Sequence, residues 1–216
     1  MCILHRMQAE YVQFGCGTCA PETWRNFDAG PAFLLAKRFP FLKSVLVRQG
    51  FPEYPRHIEY GDVIKGLPVP LASARGIYCS HVLEHLSLED CRRTLRNVFS
   101  YLQPGGLFRL VVPDLEFLCR TYLEDPGPNA APTFMVEAHL GAKSLHRGLG
   151  GLARNAFGRS QHLWMWDYKA MNAELEAAGF TAIRRAEFGD SPDPYFLTVE
   201  DIGRWRNCLG IECRRP

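Results

Sequence analysis

An α/β fold, with one doubly wound and mostly parallel sheet, is what this 216-residue sequence predicts. Strand-like and helix-like patterns alternate along it, as they do when crossover helices cover both faces of a sheet. No internal repeat or low-complexity segment interrupts that alternation. Hydrophobic residues make up 47% and charged residues 22%, a globular balance that supports a sizeable core. The length suits a single domain over 1–216, with an inserted helical lid at about 125–161.

The elements follow in order. "EYVQFG" (10–15) is an apolar run stopped by Gly15 and Gly17, the first strand. "WRNFD" (24–28) is a second short strand. "PAFLLAKRF" reads as a helix, with Pro31 in the first turn, where its missing N–H costs nothing. "HIEYGDV" is a strand running into a loop, and "GIYCS" a short buried strand. Ser87 caps the next helix, with Asp90 as its capping-box partner. Leu88, Cys91, Leu95, Val98, Phe99 and Leu102 form that helix's buried stripe. "QPGG" stops it, "LFRLVVP" is a strand, and Asp114 caps a further helix over "DLEFLCRTYLED". The texture changes over 125–161, where three prolines precede a helix-like "TFMVEAHLGAKSL" and the glycine- and arginine-rich "HRGLGGLARNAFGRS". Order returns with a helix capped by Asp167 and closed by Gly179, its stripe Met171, Leu175 and Ala178. "FTAIRRAEF" and "CLGIECRRP" are the last strands.

A formal net charge of +2 gives no case for a nucleic-acid partner. No apolar run is long enough to span a bilayer, and "MCILHRMQAE" is not a signal peptide. Eight cysteines, several inside apolar runs, then read as reduced thiols, and a cytoplasmic location is expected. The oligomeric state is not legible.

Three stretches carry candidate chemistry. In "FGCGTCAPETWRNFD", glycines directly after a strand let a ligand approach the backbone. "GCGTCA" fits a loose dinucleotide pattern, but the acidic residue that would hold the ribose should lie about 20 residues on. Asp28 arrives sooner, so the first crossover helix is shortened or missing, and a pyrophosphate would lack its helix N-terminus. A nicotinamide-dependent oxidoreductase is the alternative that this disfavours; a non-catalytic cofactor-binding relative is another. Cys16 and Cys19 form a CxxC, yet no second pair completes a zinc site. In "CSHVLEHLSLED", His81, Glu84 and His85 spell the H-x-x-E-H of one class of zinc peptidase. That chemistry needs both histidines on one helical face. Here His81 sits at the lip of a strand and the helix starts after His85, so no metal site is expected; an extra helical turn at 82–86 would weaken that objection.

"FGCG", "NFDAGP", "YGDV", "SHVLEHL", "LQPGGLFRLVVPD" and "AGF" occur in this order. The set resembles the class I S-adenosylmethionine-dependent methyltransferases, and within them small bacterial enzymes predicted to act in surface-glycan pathways. The resemblance implies a Rossmann-like methyltransferase sheet with a shortened first crossover helix. It implies S-adenosyl-L-methionine as cofactor and an oxygen or nitrogen of a small-molecule or glycan-linked compound as methyl acceptor. Gly15, Cys16 and Gly17 match the loop around the methionine part of the cofactor. Asp28 matches the acid that accepts from both ribose hydroxyls. Asp62 and Val63 match the adenine border, and Ser80 and His81 line the cofactor and acceptor side. The missing helix leaves contacts of Glu22 and Trp24 without a template. His162, in "GRSQHLWMWD", stands where such enzymes commonly carry a histidine. It and His81 are the catalytic candidates, His162 as a general base or, more plainly, as a loop hydrogen-bonder. Arg147, Arg154 and Arg159 would either hold an anionic acceptor group or face solvent.

Overall fold

A computed structural model describes residues 11–39, 41, 47–48, 52–141 and 161–216. Seven strands form one sheet: β1 (Tyr11–Phe14), β2 (Arg25–Asp28), β3 (Glu59–Tyr60), β4 (Ala74–Ser80), β5 (Leu102–Pro113), β6 (Thr181–Ala186) and β7 (Cys208–Arg214). Their order is β3-β2-β1-β4-β5-β7-β6. β7 runs antiparallel to both of its neighbours, and the other pairs are parallel. The order reverses between β1 and β4, so a switch point lies at their carboxyl ends, where open α/β sheets bind ligands.

Residues 15–24 contain no helix. A parallel connection normally needs a crossover of a dozen or more residues. Here β1 and β2 are four-residue strands, short enough for a loop to bring the chain back. α1 (Pro31–Arg38) follows β2, with Pro31 at its first turn.

α2 (Leu88–Tyr101) begins at its Ser87 cap, whose hydroxyl accepts from the Asp90 N–H at 3.2 Å and donates to the Asp90 carboxylate at 2.8 Å. Cys91, Leu95 and Val98 are fully buried, while Leu88 and Phe99 pack on the core's margin. Leu102 is buried as the first residue of β5, which continues through "QPGG" with a register shift between Ala74 and Gly76 on β4. The sequence expectation of a stop at "QPGG" therefore gives way to a direct helix-to-strand passage, with the left-handed turn at Gly105 (φ 77°). Asp114 caps α3 (Leu115–Glu124), accepting from Glu116 and Phe117 N–H. Asp167 caps α5 (Tyr168–Ala177), accepting from Ala170 at 2.7 Å; Met171 and Leu175 bury its inner face.

Within the stretch expected as a lid, α4 (Ala130–Glu137) packs on α3, with Tyr122 and Phe134 ring centroids 5.8 Å apart. The helix begins before the expected Thr133 and ends by Ala138, beyond which His139 turns left-handed (φ 51°). Arg147, Arg154 and Arg159 lie outside the described residues. Between β6 and β7 the chain forms a 3-10 turn (Pro194–Thr198) and the short α6 (Ile202–Trp205). Phe196 and Trp205 close a second core there with Tyr11, Trp24 and Tyr78. Under that cap Arg109 is fully buried, ion-paired with Glu200, Asp190 and Glu212 and lying 4.5 Å over the Trp205 ring. Among the described residues no helix is long and apolar enough to cross a membrane.

Candidate active site

The carboxyl ends of β1, β2 and β4 meet around a cavity of about 690 Å³, within the range of small-molecule and cofactor sites. Gly15 leaves β1 with φ 63°, and a Cβ on it would sit 2.2 Å from Val82 Cγ2, so only glycine fits between the strand end and the turn after β4. Gly17 is also left-handed (φ 56°). Asp28, 7% exposed at the tip of β2, accepts the Gly17 N–H at 2.9 Å on Oδ2 and the Gly30 N–H at 2.7 Å on Oδ1. Each carboxylate oxygen keeps further acceptor capacity. Asp62 accepts the Ile64 N–H at 3.0 Å and pairs with Lys65 at 3.1 Å.

Gly15, Asp28, Asp62, Val63 and His81 all line this cavity. Cys16, Gly17 and Ser80 do not. The Cys16 thiol turns inward against Phe33 and Ile58, and burial, aided by Asp28, pushes it up to about 12. Ser80 is buried, its carbonyl accepting from Arg204 at 3.3 Å. Cys16 and Cys19 are both free thiols, and no helix starts at the second. Without a helix after the glycine loop, the dinucleotide reading also loses its pyrophosphate site. Tyr54, Pro31, Val82, Leu86, Gln161 and Leu163 add apolar and polar wall that sequence reasoning passed over. None of these carried a signal in the sequence, because they reach the cavity only through the packing of distant segments.

A second cavity, about 520 Å³, shares His81 and His85 with the first. A 3-10 turn (Leu83–His85) stands between β4 and α2. It is the extra turn that would soften the objection to a metal site, though His81 precedes it with φ 56° and the two histidines share no helical face. His81 sends Nε2 to the Arg204 carbonyl at 3.0 Å and Nδ1 to Glu84 Oε1 at 3.2 Å. Burial opposes its charge, but Cys208, Glu84 and the Arg204 carbonyl outweigh burial and hold its pKa at about 10. Both ring nitrogens face acceptor oxygens, which favours the charged form over a free lone pair.

The loop 161–166 is fastened over this turn. The Leu163 and Trp164 N–H groups donate to the Glu84 carbonyl at 2.7 and 3.2 Å, and Trp166 Nε1 donates to the Leu83 carbonyl at 3.5 Å. His162 is thereby pressed against His85 and His139, with ring centroids at 5.0 and 4.7 Å. Burial pushes its pKa down to about 4 against the pull of Glu84, and His85 and His139 push the same way. His162 is neutral at pH 7, with Nδ1 buried and unpartnered. Glu84, the acidic member of the H-x-x-E-H spacing, is 0% exposed. One ligand atom from each of Glu84, His85 and His162 lies within 4.8 Å of the others.

Comparison with known proteins agrees with this architecture. Residues 24–184 match the methyltransferase-domain family. No curated protein matches the chain significantly in sequence. A Thermotoga maritima structure described as a S-adenosylmethionine-dependent methyltransferase is similar in fold, with a TM-score of 0.52 at 16% identity over 96% of this chain and 82% of that one. PigF with S-adenosylhomocysteine gives 0.48 at 16% identity, over 95% of this chain and 56% of that one. Human N-acetylserotonin methyltransferase in complex with S-adenosylmethionine gives 0.48 at 12%, over 95% and 47%. The chain thus spans about half the length of the latter two. The matched family model covers most of the chain and the sheet has the strand order described above; the protein belongs to the class I S-adenosylmethionine-dependent methyltransferases.

Proposed function

We propose that the protein moves the methyl group of S-adenosylmethionine to an oxygen or nitrogen of a small-molecule or glycan-linked acceptor. The observation that carries this reading is the pair of cavities divided by His81 and His85 at the sheet's switch point. The cofactor occupies the larger one. Gly15 meets its methionine part through backbone, and Cys16 and Gly17 hold the loop behind it, with Gly17 N–H tied to Asp28. Asp28 accepts from the ribose hydroxyls with the lone pairs that Gly17 and Gly30 leave, and Asp62 and Val63 border the adenine. Ser80 contributes by fixing the strand end from which His81 projects.

The acceptor then approaches from the second cavity, with His162 on its side. Transfer from a sulfonium is a displacement: the acceptor–carbon bond forms as the sulfur–carbon bond breaks, sulfur keeps the electron pair, and the acceptor's proton passes to bulk solvent as the methylated product leaves the site. The protein's task is alignment and exclusion of water. A histidine with a pKa near 4 gives little driving force for proton removal at neutral pH, so His162 positions the acceptor better than it deprotonates it.

Incubation with methyl-labelled cofactor and a panel of hydroxyl- and amine-bearing small molecules and oligosaccharides tests the reading. Label in one of these, lost when His162 is replaced by alanine, is expected. Label passing only to protein or nucleic acid would overturn it.

A further inference from the structure

Glu84 poses the sharpest electrostatic problem in the described structure. Its carboxylate is 0% exposed, and among the described residues neither Oε1 nor Oε2 has a hydrogen-bond partner. Oε1 meets only His81 Nδ1 at 3.2 Å and His85 Nε2 at 3.9 Å. A buried carboxylate is tolerated when paired and fully hydrogen-bonded, or when it coordinates a metal. The histidines beside it are arranged for the second case. His85 donates Nδ1–H to the Gln161 carbonyl at 3.1 Å, and its Nε2 points to Glu84 Oε1 at 3.9 Å. His162, 7% exposed, holds Nδ1 buried and, among the described residues, unpartnered. A backbone carbonyl behind the imidazole, as Gln161 stands behind His85, is the usual outer support of a metal-ligating histidine.

We propose that Glu84, His85 and His162 bind a divalent transition-metal ion of the zinc type at the wall between the two cavities. Two imidazole nitrogens and one carboxylate oxygen suit Zn²⁺ and its first-row neighbours rather than Mg²⁺ or Ca²⁺. Three protein ligands leave a coordination position open, as in catalytic rather than structural sites, and all three line the second cavity. His81 is not a ligand in this arrangement. Held by the Arg204 carbonyl, it orients the carboxylate as an outer-shell partner. The first histidine of H-x-x-E-H is therefore replaced by one from a distant loop. If methyl transfer proceeds as proposed above, an acceptor hydroxyl bound at the open position would lose its proton more easily; that role rests on the methyl-transfer reading, whereas the ion site does not.

Competition between the chelator-stripped full-length protein and a chromophoric chelator for Zn²⁺, with no cofactor present, tests the site. The expected result is one tightly held equivalent. His162→Ala and Glu84→Gln should each weaken it by more than the roughly 10- to 100-fold that losing an outer-shell partner costs, and His81→Ala should fall within that range. Circular dichroism of each variant shows whether it is folded. Co²⁺ loading of the wild type provides a readout free of mutation, and should give visible bands of nitrogen and oxygen coordination. No bound equivalent, unchanged affinity in folded His162→Ala, or a strong thiolate-to-cobalt charge-transfer band would overturn the proposal, the last by placing the ion on cysteines.

Discussion

Asp28 Oδ2 accepts the Gly17 backbone N–H at 2.9 Å, which ties the tip of β2 to the glycine loop after β1. The same carboxylate holds Gly30 at 2.7 Å, so one buried side chain shapes both edges of the larger cavity. Hydrogen bonds to a charged group contribute about 1.5–3 kcal/mol. Asp28→Asn should therefore weaken S-adenosylhomocysteine binding by about 10- to 100-fold at 1.4 kcal/mol per decade, and lower the melting temperature. Calorimetry and thermal unfolding check this; unchanged affinity would detach Asp28 from the cofactor.

Gly15→Ala should destabilise the fold through two separable effects. The left-handed φ of 63° costs an L-residue about 1–2 kcal/mol, and the new Cβ collides with Val82 Cγ2. In a Val82→Ala background the collision vanishes and the backbone cost stays. Urea unfolding of the four proteins in the cycle should show Gly15→Ala to be less harmful in that background than beside the native valine. Additive effects would mean that the contact carries no energy.

The Arg109 network makes a larger prediction. Removing one partner of a buried ion pair costs about 3–5 kcal/mol, because the other charge is left uncompensated. Glu200→Ala frees the Gly189 N–H but leaves Arg109 with Asp190 and Glu212, so it should lose less than that, about 1–3 kcal/mol, in equilibrium urea unfolding. A loss under about 1 kcal/mol, the range of exposed pairs, would show that water replaces the carboxylate.

Asp190 gives the acid limb of stability. Burial would raise its pKa, but Arg184, the Glu187 backbone and Arg109 outweigh burial and bring it down from 3.8 to about 2. A depressed carboxylate pKa stabilises the folded state above the unfolded value, and that contribution is lost as pH falls through the folded one. Stability should decline between about pH 4 and pH 2, and Asp190→Asn should flatten this part of the pH profile. The side chain is 33% exposed, so solvent screening reduces the size of the effect.

Thiol accessibility should separate the cysteines. Burial pushes Cys16 and Cys91 each up to about 12, and the thiolate is the reactive form. Neither should react with a thiol reagent in the folded protein at neutral pH, and both should react in denaturant. Mass mapping of the labelled peptides decides it. Rapid folded-state modification of Cys16 would reopen a redox role for the CxxC.

Local rules carried most of the fold. The caps at Ser87, Asp114 and Asp167 and the stripe of Cys91, Leu95 and Val98 obey short-range chemistry, and each forms as the sequence predicts. The early Asp28 foretold the missing crossover helix, because spacing alone limits what a connection can hold. What escaped depends on contacts between distant segments. Glu84 reads only as part of an H-x-x-E-H without a shared helical face until the loop carrying His162, far along the chain, lies over it. Arg109, in an apolar strand, gave no hint of the carboxylates of Asp190, Glu200 and Glu212 that surround it. The short α6 and the turn at 194–198 lack periodicity long enough to register, yet they bury Phe196 and Trp205.

Binding calorimetry of the full-length protein with S-adenosylhomocysteine and, separately, with NADH tests the central assignment most directly. The cavity at the switch point predicts single-site binding of S-adenosylhomocysteine and no heat from NADH. Saturable binding of NADH with none of S-adenosylhomocysteine would contradict it.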